Sequence, residues 1–227
     1  MSRPPRPPKR QKVRIVISET EYLANDATTL ISEGYRIRDV MSIHSDKDVC
    51  VQKLKDILKL LCKHDGRGMH AELYDAIAND SCAQRIRGWL FESNDGVPWG
   101  AVFAKESFID RENMVMMDLI CVKQPLDGAA KPKNIFKSLL ALVLALAVEN
   151  QLGVDLEAAQ IEGSKYKEQN ARLLALYEHF GFTQVKCLSE HTESTIYMSM
   201  TFETAQSMYL KLIGKSAERV GSECCIT

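Results

Sequence analysis

Few side chains in this sequence have a type and spacing that suggest catalytic chemistry. The most informative segment is NARLLALYEHFGF at residues 170–182, in which Tyr177 follows Asn170 by seven residues. Two carboxylates lie upstream, Asp118 inside an apolar run and Glu112 just before it. A phenol can donate a proton and a carboxylate can accept one, so these groups are candidates for general acid–base chemistry. No role is expected for the histidines, which lack metal spacing and a neighbouring nucleophile: His44, His64, His70, His179 and His191.

The seven cysteines do not have the spacing of a metal site. Their number is odd and no C-x-x-C pair occurs, so the paired ligands of a structural zinc site are missing and no metal is expected. Several cysteines lie beside leucine or valine, which is typical of small buried apolar side chains. The sequence begins without a secretory signal, so we expect an intracellular protein, cytoplasmic or nuclear, in a reducing compartment.

The composition argues against two classes of protein. Hydrophobic residues make up 45% and charged residues 26% of the 227 residues, which is ordinary for a globular domain. The formal net charge is −1, so the chain as a whole has no field that attracts nucleic acid. The most apolar run, residues 138–148, is shorter than the roughly twenty residues that cross a bilayer. We therefore expect a buried helix there and no transmembrane segment.

Both ends of the sequence differ from its middle. Residues 1–12 are rich in proline and basic residues, which predicts a disordered leader, although a nuclear-import signal or an arm for an anionic partner fits the same composition. Residues 214–227 are expected to form a flexible tail that ends in Cys224, Cys225, Ile226 and Thr227. This ending has the outline of a prenylation box. Its threonine and second cysteine depart from the usual motif, so lipidation is the less favoured alternative.

The elements that would position the candidate residues follow from the periodicity of the apolar side chains. In the first part of the chain, the pattern predicts strands at 13–17 and 35–43 and helices at 19–32, 46–63 and 70–78. Three strands follow at 85–91, 98–108 and 114–122, with a turn at Asn94, Asp95 and Gly96 between the first two. Because the connections are short, these three strands are predicted to form an antiparallel meander.

The second part of the chain alternates helices and strands. Helices are predicted at 135–150, closed by Gly153, at 170–180, capped by Gly181, and at 203–213. Strands are predicted between them at 154–161, 183–187 and 195–201. The sequence therefore predicts an α/β fold with one mixed sheet, in a single domain at 13–213 whose core lies at about 85–201.

The segment at 170–182 resembles the last characteristic stretch of the GNAT superfamily of acyl-CoA N-acyltransferases. In that family an asparagine opens the helix, a tyrosine follows seven residues later and a Gly-Phe pair ends it, as Asn170, Tyr177, Gly181 and Phe182 do here. The upstream order of a meander, a loop, a long helix and a strand is also similar. The resemblance covers roughly residues 85–201. It implies the GNAT fold, acyl transfer to an amine, and acetyl-CoA or another acyl-CoA as co-substrate.

The resemblance also implies roles for individual residues. Asn170 would contact the pantetheine arm of the co-substrate, and Tyr177 would protonate the departing thiolate. Asp118 or Glu112 would be the base, with Asp118 preferred, although the register of the strand decides which one faces the cleft. The pantetheine arm would bind the backbone edge of the third meander strand, at Leu119, Ile120, Cys121 and Val122. The amine acceptor would be a protein or a small molecule.

The phosphate-binding loop departs from the family pattern. The loop at 124–134 leads into the long helix, whose N-terminus is suited to a pyrophosphate. The family pattern aligns with residues 131–136, where Asn134 and Phe136 take the two positions that are usually small. Either the Gly128-Ala129-Ala130 turn provides the close approach, or Lys131 and Lys133 neutralise the phosphates by charge. The expected cofactor-binding residues here are Lys131, Lys133 and Asn134.

Two classes of function fit these observations. The first is an N-acyltransferase, with acetyl as the expected group, that acts by direct attack of an amine on acyl-CoA. The second is a catalytically degenerate GNAT-like protein, in which Phe136 closes the cleft and the surface binds a partner. Nucleic-acid binding through the basic leader is a weaker third interpretation, because the rest of the chain is close to neutral.

Overall fold

A computed structural model describes residues 30–31, 33–39, 61, 86–106, 113–123, 132–159, 163–185 and 195–214. Seven strands form one sheet in the order β1-β2-β3-β4-β5-β7-β6. The strands are β1 (Tyr35–Asp39), β2 (Ile86–Ser93), β3 (Pro98–Glu106), β4 (Met114–Val122), β5 (Gly153–Ala159), β6 (Thr183–Gln184) and β7 (Thr195–Met200). The helices are α1 (Ile135–Glu149), α2 (Lys167–His179), which follows a 3-10 turn at Ser164–Tyr166, and α3 (Phe202–Leu212).

The pairing of the strands confirms the predicted mixed α/β fold. β2, β3 and β4 are antiparallel neighbours, as the meander predicts, and β1 adds a further antiparallel strand beside β2. β4 and β5 run parallel, whereas β5 pairs with β7, and β7 with β6, in antiparallel orientation. After β4 the order is α1, β5, α2, β6, β7 and α3, which agrees with the predicted alternation of helices and strands.

Most elements predicted for the first part of the chain lie outside the described residues. This applies to the strand at 13–17 and the helix at 70–78, and also to the basic leader and the tail beyond Gly214. Of the predicted helices at 19–32 and 46–63, the structure describes Leu30, Ile31 and Leu61. Leu61 is helical and buried, whereas Leu30 and Ile31 are not helical.

Helix α1 forms the centre of the hydrophobic core. Eleven of its 15 residues are buried, and the helix packs against β2 to β5 and against α3. Its first turn lies directly on β3, because a Cβ atom at Gly100 would be 2.7 Å from Cγ2 of Ile135 and 2.9 Å from Cδ1 of Leu139. Gly100 therefore sets how closely the start of α1 approaches the sheet. None of the described helices is long and apolar enough to cross a membrane.

A buried carboxylate joins β1 to the meander. Glu92 on β2 is 1% exposed and accepts ion pairs from Arg36 at 2.8 Å and from Arg38 at 2.9 Å, both on β1. The Nε atom of each arginine also donates to Oε1 of Glu92. Since a buried carboxylate is costly without compensating partners, these contacts stabilise β1 at the outer side of β2.

β4 and β5 pair over only a short length. Their register contains four pairs, from Met114 with Gly153 to Met117 with Leu156. The pairing ends there, although both strands continue beyond these residues. At the same point β4 contains a bulge: Ala104 of β3 pairs with Met117 and Phe103 with Leu119, so Asp118 is the extra residue between them. A bulge bends its strand and increases the local twist. Beyond Asp118, β4 therefore separates from β5.

Two predicted helix boundaries are wrong. Helix α1 is not closed by Gly153, which is the first residue of β5; its end is marked by Gln151, with φ of 55°, and Leu152 then donates to the carbonyl of Ala147. Helix α2 begins at Lys167 with Tyr166 as the N-cap, so Asn170 does not open it. The apolar period on which the prediction rested starts only after the polar first turn of α2.

The Tyr-x-x-x-Gly-Phe spacing at the end of α2 has a structural explanation. The N–H of Phe182 donates to the carbonyl of Tyr177 at 3.1 Å, and the N–H of Gly181 donates to that of Glu178 at 2.9 Å. This is the Schellman pattern, which places a glycine at the left-handed position; Gly181 has φ of 89°. The accompanying apolar contact is the edge-to-face packing of the Tyr177 and Phe182 rings, with centroids 5.9 Å apart.

We predict that Gly181→Ala lowers the free energy of unfolding more than Gly96→Ala does. Both glycines have positive φ, 89° and 85°, but a Cβ at Gly181 would lie 2.9 Å from Cγ2 of Thr204, whereas Gly96 has nothing within 4 Å. Backbone strain alone should cost about 1 kcal/mol at Gly96, and the added contact should raise the loss to about 2 kcal/mol or more at Gly181. Urea unfolding of the two variants measures both losses, and equal losses would contradict the explanation.

Candidate functional site

The candidate site lies at the opening between β4 and β5. Its β4 side consists of the four predicted residues Leu119, Ile120, Cys121 and Val122, all partly buried. They pair with β3 on one side, and no described strand pairs with them on the other. In an antiparallel pair, every second residue directs its N–H and C=O groups away from the partner strand. This edge therefore has backbone groups that could bind an extended polar chain, and its predicted contact with the pantetheine arm stays a prediction.

The prediction that the cysteines are reduced is wrong for Cys121, which is disulfide-bonded in the structure. Its expected role in binding is through the backbone, so the state of its sulfur leaves that role unchanged.

Tyr177 of α2 is fixed in place by its surroundings. Its ring is 7% exposed and packs against Phe182 and against Phe136, whose centroid lies 6.3 Å away. Its carbonyl accepts the N–H groups of both Phe180 and Phe182, which anchors the backbone at the same residue. Burial raises the pKa of Tyr177 to about 12, so the hydroxyl stays protonated at neutral pH. Tyr177 is therefore a rigidly held phenol that can donate a hydrogen bond.

Asn170 lies two turns before Tyr177 on the same helix. A separation of seven residues is close to two turns of an α-helix, so the two side chains are on one side of α2. Asn170 is partly buried and lies within the helix, not at its cap. The expectation that Asn170 opens the helix is therefore wrong, whereas its predicted contact with a ligand stays a prediction.

The start of α1 has the features of an anion-binding helix end. Asn134 is its N-cap, in the left-handed conformation with φ of 61°, and no side chain caps the helix. The first turn contains no acidic residue, and Lys133 and Lys137 are exposed. The first amides of a helix have no partner within it, so they are suited to bind phosphate oxygens. Lys131 and the Gly128-Ala129-Ala130 turn lie outside the described residues.

Phe136, which takes the place of a small residue in the family pattern, packs against α2. Its ring centroid is 5.2 Å from that of Phe180 and 6.3 Å from that of Tyr177. The side chain is partly buried, whereas its neighbour Ile135 is almost fully buried in the core. Phe136 therefore joins the first turn of α1 to the last turns of α2, beside the candidate acid.

A polar cluster occupies the face of the sheet opposite α1. Asp118, at the bulge of β4, forms an ion pair with Lys105 of β3, and both side chains are largely buried at 14% and 9% exposure. On β5, Asp155 is fully buried and Glu157 is exposed. The other possible base, Glu112, lies outside the described residues.

Tyr197 of β7 connects these carboxylates. Burial raises its pKa above the usual value, and the negative charges of Glu157, Asp155 and Asp118 raise that pKa further. Its cross-strand partner is Glu157, whose charge contributes to this shift, and its hydroxyl donates to Sδ of Met116 at 3.9 Å. The structure thus brings Asp118 close to Tyr197, Glu157 and Asp155.

Four members of this cluster were not predicted as site residues: Lys105, Asp155, Glu157 and Tyr197. One signal was present, because Asp155 and Glu157 alternate with the core residues Val154, Leu156 and Ala158 along β5. That alternation predicts one polar face on the strand. The positions of Lys105 and Tyr197 depend on strand pairing that the sequence does not reveal.

Comparison with known proteins identifies the fold. No family model and no curated protein matches the sequence. Among solved structures, an acetyltransferase of the GNAT family from Staphylococcus aureus Mu50 aligns with a TM-score of 0.50 and 16% identity, over 74% of this chain and 99% of that chain. The chain has a GNAT-like fold. An acetyltransferase from Streptococcus agalactiae 2603 gives the same TM-score of 0.50 at 12% identity, over 75% of this chain and 99% of that chain.

The raised pKa of Tyr177 in the GNAT-like domain predicts a loss of stability in alkaline solution. The group ionises near 10.0 when exposed and near 12 when folded, so its contribution is complete below pH 10 and disappears as the pH approaches 12. Between pH 9 and pH 11 the wild type should lose about 1.3 kcal/mol of unfolding free energy that Tyr177→Phe does not lose. Urea unfolding at the two pH values tests this, and equal losses in both proteins would contradict the burial of the hydroxyl.

Proposed function

We propose that the chain is an N-acyltransferase that moves an acyl group, acetyl in the simplest case, from acyl-CoA to an amine by direct attack. The observation that carries this proposal is the opening between β4 and β5, together with the uncapped start of α1 and the phenol of Tyr177, which packs against Phe136 in the first turn of that helix. This arrangement combines a backbone edge, an anion site and a proton donor in a GNAT-like fold. The two structures compared above are acetyltransferases by name, which supports the same reaction class.

Each part of the opening suits one part of an acyl-CoA molecule. The first amides of α1, with Lys133, Asn134 and, by the sequence pattern, Lys131, would bind the phosphates. The edge at residues 119–122 would bind the amide groups of the pantetheine arm. Asn170, on the same side of α2 as Tyr177, would contact that arm from the helix.

Tyr177 would act on the departing sulfur through a hydrogen bond. A free thiol has a pKa of about 8.5, whereas burial raises the pKa of Tyr177 to about 12. Complete transfer of the phenolic proton to the thiolate would therefore be uphill by about 5 kcal/mol. We infer that Tyr177 stabilises the developing negative charge as a donor, and that the thiolate receives its proton from water. This refines the role of proton donor that the family resemblance implies.

Acetyl-CoA should raise the melting temperature of the wild-type protein in a concentration-dependent manner. At a concentration one hundred times its Kd, a ligand of the native state adds about 2.7 kcal/mol of stability. For a domain of this size, that corresponds to a shift of about 5 °C or more. Thermal denaturation with acetyl-CoA, longer acyl-CoAs and free CoA measures the effect. The proposal fails if a cooperatively unfolding sample shows no shift with any of them.

Tyr177→Phe should lower turnover without abolishing co-substrate binding. The ring that packs against Phe136 and Phe182 is retained, so the fold and the acetyl-CoA shift should persist. Loss of the hydroxyl should reduce kcat by about 10²-fold, a typical value for one donor in the transition state. A panel of spermidine, N-α-acetyl-lysine and n-butylamine, assayed by release of CoA, provides the rate. An unchanged kcat would remove Tyr177 from the reaction.

The alternative is a GNAT-like protein whose cleft does not bind acyl-CoA. The position of Phe136 favours it, because the ring lies against Tyr177 and Phe180 where the family pattern has a small residue. The variant Phe136→Ala separates the two functions. We expect acetyl-CoA to stabilise both the wild type and the variant. A shift that occurs only in Phe136→Ala would show that the native side chain closes the cleft, and would favour a binding module.

A further inference from the structure

Two carboxylates mark the two sides of the opening between β4 and β5. The last residue pair of the parallel strands is Met117 with Leu156. The next residue on β4 is Asp118 and the next on β5 is Glu157, so each strand carries a carboxylate at the first position after the strands separate. Leu156 belongs to the core, so Glu157 lies on the opposite face of β5. This is the face that carries the polar cluster.

The two carboxylates differ in their surroundings. Asp118 is largely buried and is paired with the ammonium group of Lys105. Asp155, on the same face of β5, is fully buried. Glu157 is exposed, so an amine in solution can reach it without removing another side chain from an ion pair.

Tyr197 is the neighbour of Glu157 on the next strand. The two residues are direct partners across β5 and β7, and the Glu157 carboxylate is close enough to the phenol to raise the pKa of Tyr197. A phenol that donates to one part of a carboxylate leaves the remaining lone pairs available to accept a proton. The charged and titratable groups that share this face are Asp118 and Lys105 beside β4, Asp155 on β5 and Tyr197 on β7.

We propose that Glu157 is the base that deprotonates the amine acceptor, and that Tyr197 is the residue that positions it. This inference rests on the acyl transfer proposed above. The ammonium form of the amine gives one proton to the Glu157 carboxylate, and the freed lone pair of nitrogen forms a bond to the thioester carbonyl carbon. The carbon–sulfur bond breaks, and its electron pair leaves with sulfur. The second proton of the nitrogen passes to water, and the thiolate takes a proton from water.

Asp118, which the sequence and the family resemblance favoured as the base, has a positioning role in this proposal. With Lys105 it fixes the bulge that turns β4 away from β5. Lysine and aspartate side chains in such a largely buried pair are needed together, since removal of either leaves an uncompensated charge.

The test compares two nucleophiles that differ in their need for a base. n-Butylamine is an ammonium ion at pH 7 and must lose a proton before it attacks, whereas hydroxylamine is already mostly neutral. We expect Glu157→Gln to lower kcat/KM for n-butylamine by about 10²-fold, and that for hydroxylamine by less than about threefold. The matched control is Glu149→Gln, which makes the same change at an exposed residue at the end of α1 and should change neither rate. Acetyl-CoA is the donor throughout, and release of CoA is measured by chromatography.

Tyr197→Phe tests the positioning role with the same pair of nucleophiles. It should lower kcat/KM for n-butylamine by about 10-fold and leave kcat/KM for hydroxylamine nearly unchanged, because only the orientation of the base is lost. A structural disturbance would instead lower both rates together.

The possible outcomes separate the base from the proposed function. If wild-type protein transfers the acetyl group to both nucleophiles but Glu157→Gln loses the two activities equally, or loses neither, Glu157 is not the base and acyl transfer stands. If wild-type protein transfers it to neither nucleophile, the proposed function fails and the role of Glu157 fails with it. Thermal denaturation of Glu157→Gln in the absence of ligand shows that the exposed, isosteric substitution leaves the fold intact.

Discussion

The early end of the β4–β5 pairing is the constraint on which the candidate site depends. Within a continuous sheet, each backbone N–H and C=O group is occupied by a neighbouring strand, and no ligand can reach it. Here the parallel register contains four pairs, and the bulge at Asp118 turns β4 aside at the next residue. The backbone groups of β4 beyond this point therefore have no described strand beside them on the β5 side, which is what the proposed binding of acyl-CoA requires. Asp118 also forms the largely buried ion pair with Lys105 of β3, so the ion pair and the bend of β4 involve the same residue.

A second constraint fixes helix α2, which carries the candidate acid. The hydrogen bonds that end α2 converge on the carbonyl of Tyr177, and the rings of Phe136 and Phe182 contact its ring from two sides. The position of the phenol is therefore determined by both its backbone and its side chain. This explains why a spacing of tyrosine, glycine and phenylalanine is informative about the structure before any catalytic role is considered. The helix would end in the same way in a protein without catalysis, so the motif supports the fold more strongly than the reaction.

From β2 onward the sequence was sufficient to predict the order of the described elements, because strands with short connections and helices with a clear apolar period depend on local pattern. The strand at 114–122 has the predicted bounds, and the long apolar helix differs by one residue. The start of α2 was predicted three residues too late, since its first turn contains no apolar residue. The bulge at Asp118 and the meeting of Tyr197 with Glu157 could not be predicted, because both depend on the register between strands distant in sequence. The candidate acid was found through a local motif, whereas the polar cluster required the sheet.

Among the described strands, β1 forms the outer edge of the sheet beside β2, and its two arginines have a consequence for the behaviour of the protein in solution. Arg36 and Arg38 remain 54% and 36% exposed while they share the single negative charge of Glu92. The remaining charge of β1, on Asp39, is paired with Arg87 of β2 at 3.5 Å, so these contacts leave one positive charge in excess. An edge strand offers free backbone groups to any other extended chain, and charge on that edge opposes such addition. A second copy that approached in antiparallel register would bring like charges together across the new ladder. The contact that holds β1 in place thus also opposes self-association through this edge, and added salt, by screening the repulsion, would weaken that protection.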